Sequence, residues 1–120
     1  MSVDKGFIKY PVYRGDDEPY ILKMFDGDND DIPLNVSATY DEIILEARKG
    51  NNENAPLVFR KTLSGGTITI TNTNEINYNL STSEKAGVYY LDLRFRISGT
   101  EKWKTIIKGI MPVEDNISKL

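Results

Sequence analysis

The sequence predicts an all-β protein, an antiparallel β-sandwich of seven to eight short strands. Three observations lead there. Apolar and polar residues alternate at period two through most of the chain, while the 3.6-residue period of a buried helix face is nearly missing. Turn-forming Gly, Asn, Asp and Pro return every eight to twelve residues or so. One stretch, Val88–Ser98, alternates without a break: Tyr89, Leu91, Leu93, Phe95 and Ile97 on one side, Tyr90, Asp92, Arg94, Arg96 and Ser98 on the other. A closed barrel is the alternative arrangement of such strands. The 120 residues suit one domain, because two would be about 60 residues each, near the lower limit for an independent core. The domain is expected over 1–113, with a short polar tail at 114–120.

The elements follow in order. Phe7–Tyr13 reads as a first strand, placed at an edge or kinked by Pro11, which has no N–H to give a ladder. Arg14–Pro19 is a turn, and Tyr20–Asp26 is a strand with Tyr20, Leu22 and Met24 on one face. Asp26–Asp31 is a polar loop, and Ile32–Leu34 a short extended piece. Glu42–Arg48 is a strand with Ile43, Leu45 and Ala47 inward and Glu46 and Arg48 outward. A short helix is the alternative there, but two adjacent isoleucines favour the strand. After a loop at Lys49–Ala55 come a strand at Leu57–Thr62, a tight turn at Ser64-Gly65-Gly66 and a Thr/Ile strand at Thr67–Thr71. The first strand and Thr67–Thr71 are the expected sheet edges. Asn72–Glu75 turns into a strand carrying Ile76, Tyr78 and Leu80. Ser81–Gly87 has the residues for one helical turn, with Ser81 or Thr82 as cap and Gly87 as stop. The long strand turns at Gly99-Thr100 and returns as Lys102–Val113, with Trp103, Thr105, Ile107 and Met111 inward and a bulge at Gly109.

Composition removes whole classes of chemistry. There is no Cys and no His, so disulfides, thiolate nucleophiles, His bases and Cys- or His-ligated zinc are absent. Hydrophobic residues at 39% and charged residues at 28% fit a globular chain rather than a disordered or membrane-spanning one. A net charge of -3 is small and of the wrong sign for nucleic acid. The first residues lack a signal-peptide pattern, so the glycosylation-type triplets at Asn35, Asn79 and Asn116 are read as chance matches.

Two resemblances add to this. Glu84–Leu91, running Glu-Lys-Ala-Gly-Val-Tyr-Tyr-Leu, resembles the corner of immunoglobulin-like domains that precedes the second sheet-bridging Cys. Leu91 stands where that Cys would be, and Tyr89 occupies the tyrosine-corner position, whose hydroxyl bonds backbone upstream. The resemblance implies an immunoglobulin-like sandwich held by packing alone. The second covers most of the chain. Arg14–Pro19 leads into a strand, followed by an Asp/Gly turn, Ile32-Pro33-Leu34, a strand ending at Arg48, then Ala86–Asp92 and Thr105–Val113. This order resembles the small immunoglobulin-like domain of tailed-bacteriophage virion proteins, of head-fibre, capsid-decoration or upper-baseplate type. It implies a non-catalytic subunit of the virion, assembled in the host cytoplasm, that binds other virion proteins such as capsid, portal or tail components. It is expected to work in several copies, without a cofactor and without a membrane.

Few residues invite a site. Asp26–Asp31 is dense in carboxylates, but the calcium-loop template wants Gly at its sixth place and Glu at its twelfth, where Asp31 and Ser37 stand. A turn explains the cluster better. Asp16, Asp17 and Glu18 read as a solvated turn, as do Ser64-Gly65-Gly66 and Arg14-Gly15-Asp16. Arg94, Arg96, Lys102, Lys104 and Lys108 would share one sheet face if the last two strands pair. Such a basic face fits an acidic protein neighbour, with a plain solvated face as the bland alternative and nucleic acid disfavoured. Trp103, the only Trp, is expected in the core. Two other functions stay open: a glycan-binding module, which needs Tyr10, Tyr13, Tyr40 or Trp103 grouped in the open, and a carboxylate-only enzyme, which needs two facing acids in a deep pocket.

Overall fold

Alternation at period two buries one face of each strand, and two such faces meet. The structure, a computed structural model, describes residues 6–26 and 29–114, with side chains from residue 9 onward other than those of 26–31. Within them the strands are β1 (Gly6–Lys9), β2 (Val12–Tyr13), β3 (Asp17–Lys23), β4 (Phe25–Asp26), β5 (Asn29–Pro33), β6 (Tyr40–Arg48), β7 (Leu57–Thr62), β8 (Thr69–Thr71), β9 (Glu75–Ser81), β10 (Gly87–Ile97) and β11 (Trp103–Glu114). A helical turn, α1 (Val36–Thr39), precedes β6. The tail beyond Glu114 and the side chains of the Asp26–Asp31 cluster lie outside the described residues.

The larger sheet runs β1-β11-β10-β6-β7, with β2 also along β11, and the smaller runs β3-β9-β8. These six-stranded and three-stranded sheets form a sandwich-like, all-β fold. From the larger sheet Ile43, Leu45, Ala47, Leu91, Leu93, Phe95 and Met111 enter the core, and Ile76, Tyr78 and Leu80 enter it from the smaller. Burial of this apolar surface is the main favourable term holding the sheets together. Tyr10, Tyr20 and Tyr78 pin one end: their rings lie 4.7 to 6.3 Å apart, and the buried Tyr10 and Tyr78 hydroxyls hydrogen-bond each other at 2.9 Å. Burial pushes the pKa of both phenols up.

The structure departs from the sequence expectations in four places. First, β1 and β2 run parallel to β11, whereas the rest of that sheet is antiparallel. Pro11 interrupts the ladder between them, so Tyr10 donates to the Ile110 carbonyl at 2.8 Å and pairing resumes at Val12. Second, Ser81–Gly87 holds no helical turn: Thr82 Oγ1 accepts the Glu84 N–H at 3.0 Å, and the Lys85 carbonyl is taken by the Tyr89 hydroxyl. The helical turn sits instead at α1, where Asn35 caps the Ala38 N–H and Val36 is fully buried. Third, the polar stretch 26–31 is partly strand, β4 pairing with β5. Fourth, the bulge in β11 is at Ile106, not Gly109. Leu93 pairs with Ile107 but Arg94 pairs with Thr105, which leaves Ile106 as the extra residue, while Gly109 pairs regularly with Leu91.

This bulge sets which face each residue at the start of β11 occupies. One inserted residue shifts the alternation and exchanges the faces of all residues before it. Ile106 and Ile107 are both buried. Trp103 therefore pairs with Arg96 on the outer face and Lys104 pairs with Phe95. Trp103 is 38% exposed, which corrects its expected place in the core.

Candidate functional site

The outer face of the larger sheet is built around a buried charge. A row across four strands reads Arg60 (β7), Glu46 (β6), Asp92 (β10) and Lys108 (β11), each paired with the next. Glu46 and Asp92 are thus like charges directly opposite, a destabilising pair unless cations answer them. Arginines supply the answer. Glu46 is only 4% exposed, and its Oε2 accepts from Arg48 Nη2 at 3.0 Å and from Arg60 Nε and Nη2 at 3.0 and 2.7 Å. Its Oε1 accepts from Arg94 Nη2. Burial alone would raise the Glu46 carboxyl, but the Arg60 hydrogen bonds and the three guanidinium charges prevail and hold it below the usual carboxylate value.

Asp92 fares differently. Burial raises its pKa, with Glu46 adding to the rise, and the charges of Arg94 and Lys108 do not fully offset it. Its Oδ1 lies 3.6 Å from Arg94 Nε. Both atoms are shielded from solvent and neither has a hydrogen-bond partner.

These side chains floor an open cleft of about 690 Å³. One wall is the Gly50–Asn54 segment of the β6–β7 loop. Arg48 fastens that loop, its Nη1 donating to the Ala55 carbonyl at 2.8 Å. Beyond the cleft, along the same face, the Trp103 ring lies 5.8 Å from the Arg94 guanidinium and 5.5 Å from that of Arg96, within cation–π range. Arg96 Nε donates to Asp41 Oδ1 at 2.7 Å, and Asp41 Oδ2 takes the Gly99 N–H at 3.3 Å.

The five cations expected on one face are divided. Arg94, Arg96 and Lys108 share the outer face, while the bulge moves Lys102 and Lys104 onto the other alternation. The face is not simply basic, since Glu46, Asp92 and Asp41 are interleaved with the cations. Tyr89 is buried and donates its hydroxyl to the Lys85 carbonyl, four residues upstream, at 2.7 Å. Leu91 is buried in the core beside it on the same strand face.

Glu46, Arg48, Arg60 and Asp92 were not singled out by sequence reasoning. The alternation of β6 and β10 puts all but Arg60 on outward positions, but nothing local says that Arg60 lies beside Glu46. Of the three acids lining the cleft, Glu46, Glu53 and Asp92, Glu46 has both its oxygens occupied by guanidinium groups. Among the described residues, no group of three or more acidic side chains is placed to hold a metal ion. The aromatics of the glycan reading do not group. Tyr10 and Tyr40 are buried, whereas the exposed Tyr13 and Trp103 mark opposite ends of β11, roughly 35 Å apart at strand rise.

No helix among the described residues is long and apolar enough to cross a membrane. No protein-family model matches this chain, and no curated protein matches it.

Proposed function

We propose that this chain is a non-catalytic binding subunit, an immunoglobulin-like sandwich that docks other proteins through the outer face of its larger sheet. The single observation that carries it is the composition of that face: an exposed Trp beside two arginines, next to a cleft whose arginines are fixed by a buried Glu. Trp, Tyr and Arg dominate binding hot spots because they offer large contact area and several donors at little conformational cost. The order of segments supports a narrower reading. It resembles virion domains of tailed bacteriophages, so the proposed partners are capsid, portal or tail proteins, and the proposed place is the virion. Self-association in several copies belongs to the same reading.

The test is light scattering of the purified chain, alone and mixed with virion proteins, followed by co-sedimentation with particles. A defined oligomer or a co-sedimenting complex, weakened by Trp103→Ala, is the expected result. A strict monomer that binds no virion component would overturn the reading.

A further inference from the structure

The cleft floor holds more cationic capacity than the fold uses. Arg48, Arg60, Arg94 and Lys108 line it against three carboxylates, Glu46, Asp92 and Glu53. The excess is one positive charge. The donors are pre-arranged. Glu46 draws three guanidinium groups to one point and occupies only part of their five N–H donors each. The Arg94 side chain is one-third exposed and that of Arg60 half-exposed at the cleft. Among the described residues no hydrogen bond or ion pair occupies the exposed Lys108 amine.

We infer that this cleft binds an acidic side chain, an Asp or Glu carboxylate carried on an extended segment of a protein partner. A guanidinium fork matches a carboxylate geometrically. An excess of one charge is balanced by a monoanion, whereas a phosphate dianion would leave the cleft negative. The cleft is open along the sheet, and Tyr90 in its lining and Trp103 beyond it offer contact area for a chain rather than for a small ion. This inference rests on the protein-binding reading above and names the chemistry the partner must bring.

The test follows the arginine Nε–Hε signals of the ¹⁵N-labelled protein by NMR, at about 0.15 M salt so that exposed charges are screened. The probes are hexaglutamate, hexaglutamine and inorganic phosphate. Hexaglutamate is expected to shift Arg94 and Arg60 saturably, with hexaglutamine silent and phosphate weaker. Lys108→Gln, an exposed change that leaves the Glu46 cluster intact, should weaken hexaglutamate several-fold. Lys23→Gln on the smaller sheet should not. Arg94→Gln should weaken it about tenfold, provided the unchanged amide spectrum shows a folded protein. No shift at about 10 mM peptide, an equal loss in Lys23→Gln and Lys108→Gln, or tighter binding of phosphate than of hexaglutamate would each overturn the assignment. The titration needs no virion protein. Failure here with successful co-sedimentation removes the cleft assignment alone, and the converse removes the virion reading alone.

Discussion

The two outer faces of the sandwich are built from the same alternation but finished differently. On the smaller sheet β3 and β9 present Pro19, Ile21, Asn77 and Asn79 to solvent, with Thr69 and Thr71 on β8. Its contacts are amide hydrogen bonds, such as Asn77 Nδ2 to Thr71 Oγ1 at 2.9 Å and Asn79 Nδ2 to Asp17 Oδ2 at 3.2 Å, and one ion pair, Lys23 with Glu75 at 3.7 Å. Ile21 stands 59% exposed among them. On the larger sheet a carboxylate is buried under three arginines, and the neighbouring loop is tied to one of them. Solvating a sheet face requires only the first kind of finish. Sinking Glu46 carries a desolvation cost that plain solvation avoids. What the larger sheet gains is a fixed array of donors, which the proposed docking role would use.

Substitutions separate the two faces. The largest effect belongs to neither outer face. Phe95→Ala empties a fully buried site facing Tyr40 at 4.8 Å between ring centres, and should cost about 4 kcal/mol in urea unfolding. If it costs far less, the two faces do not share one core. Next, Glu46→Gln should cost about 2 kcal/mol at neutral pH, reduced from a fully buried pair because the arginines are partly solvated. The Glu46 carboxyl lies below its ordinary value in the fold, so its contribution is present above the unfolded pKa of about 4.3 and disappears as pH falls through the folded pKa. The gap between wild type and Glu46→Gln should therefore narrow in acid, read by unfolding midpoints across pH.

Asp92→Asn should act in the opposite direction. Its folded pKa is raised, so the ionised form opposes folding at neutral pH, and that penalty vanishes below the unfolded value of about 3.9. A slightly higher urea midpoint at pH 7, lost at pH 3, is expected. A lower midpoint at pH 7 would mean that its attraction to Arg94 and Lys108 outweighs burial. The smallest effect belongs to the smaller sheet: Asn77→Ala should stay within about 0.5 kcal/mol. A loss as large as that of Glu46→Gln would erase the distinction between the faces.

Much of the fold was legible in the chain, because burial on one face leaves a local trace. Ile43, Leu45 and Ala47, Ile76, Tyr78 and Leu80, and the row Tyr89, Leu91, Leu93 and Phe95 of β10 were all readable from alternation, and all are buried. The turns at Gly65–Gly66 and Asn72–Thr73 were readable too, since Gly66 and Asn72 take positive φ angles, which Gly tolerates freely and Asn better than most, although the β-branched Thr73 takes one against its preference. The short α1 left little trace because four residues do not complete a pattern. The candidate site was half legible. Arg94, Arg96 and Lys108 followed from β10 and β11, but Lys102, Lys104 and Trp103 were assigned to the wrong faces. A single inserted residue, Ile106, exchanges those faces. Local spacing does not reveal it, because Thr105, Ile106 and Ile107 read equally well in either register.

From the sequence came the all-β class, the apolar rows that β6, β9 and β10 turn inward and the absence of thiol and imidazole chemistry, since each depends on residue type or on neighbours within a strand. Only the tertiary structure decided that Arg60 meets Glu46 across 14 residues and Arg94 meets it across 48. Strand order and register set those meetings, and they are fixed by how whole faces pack, not by any local preference. The bulge, the buried carboxylate and the exposed Trp103 are consequences of that packing.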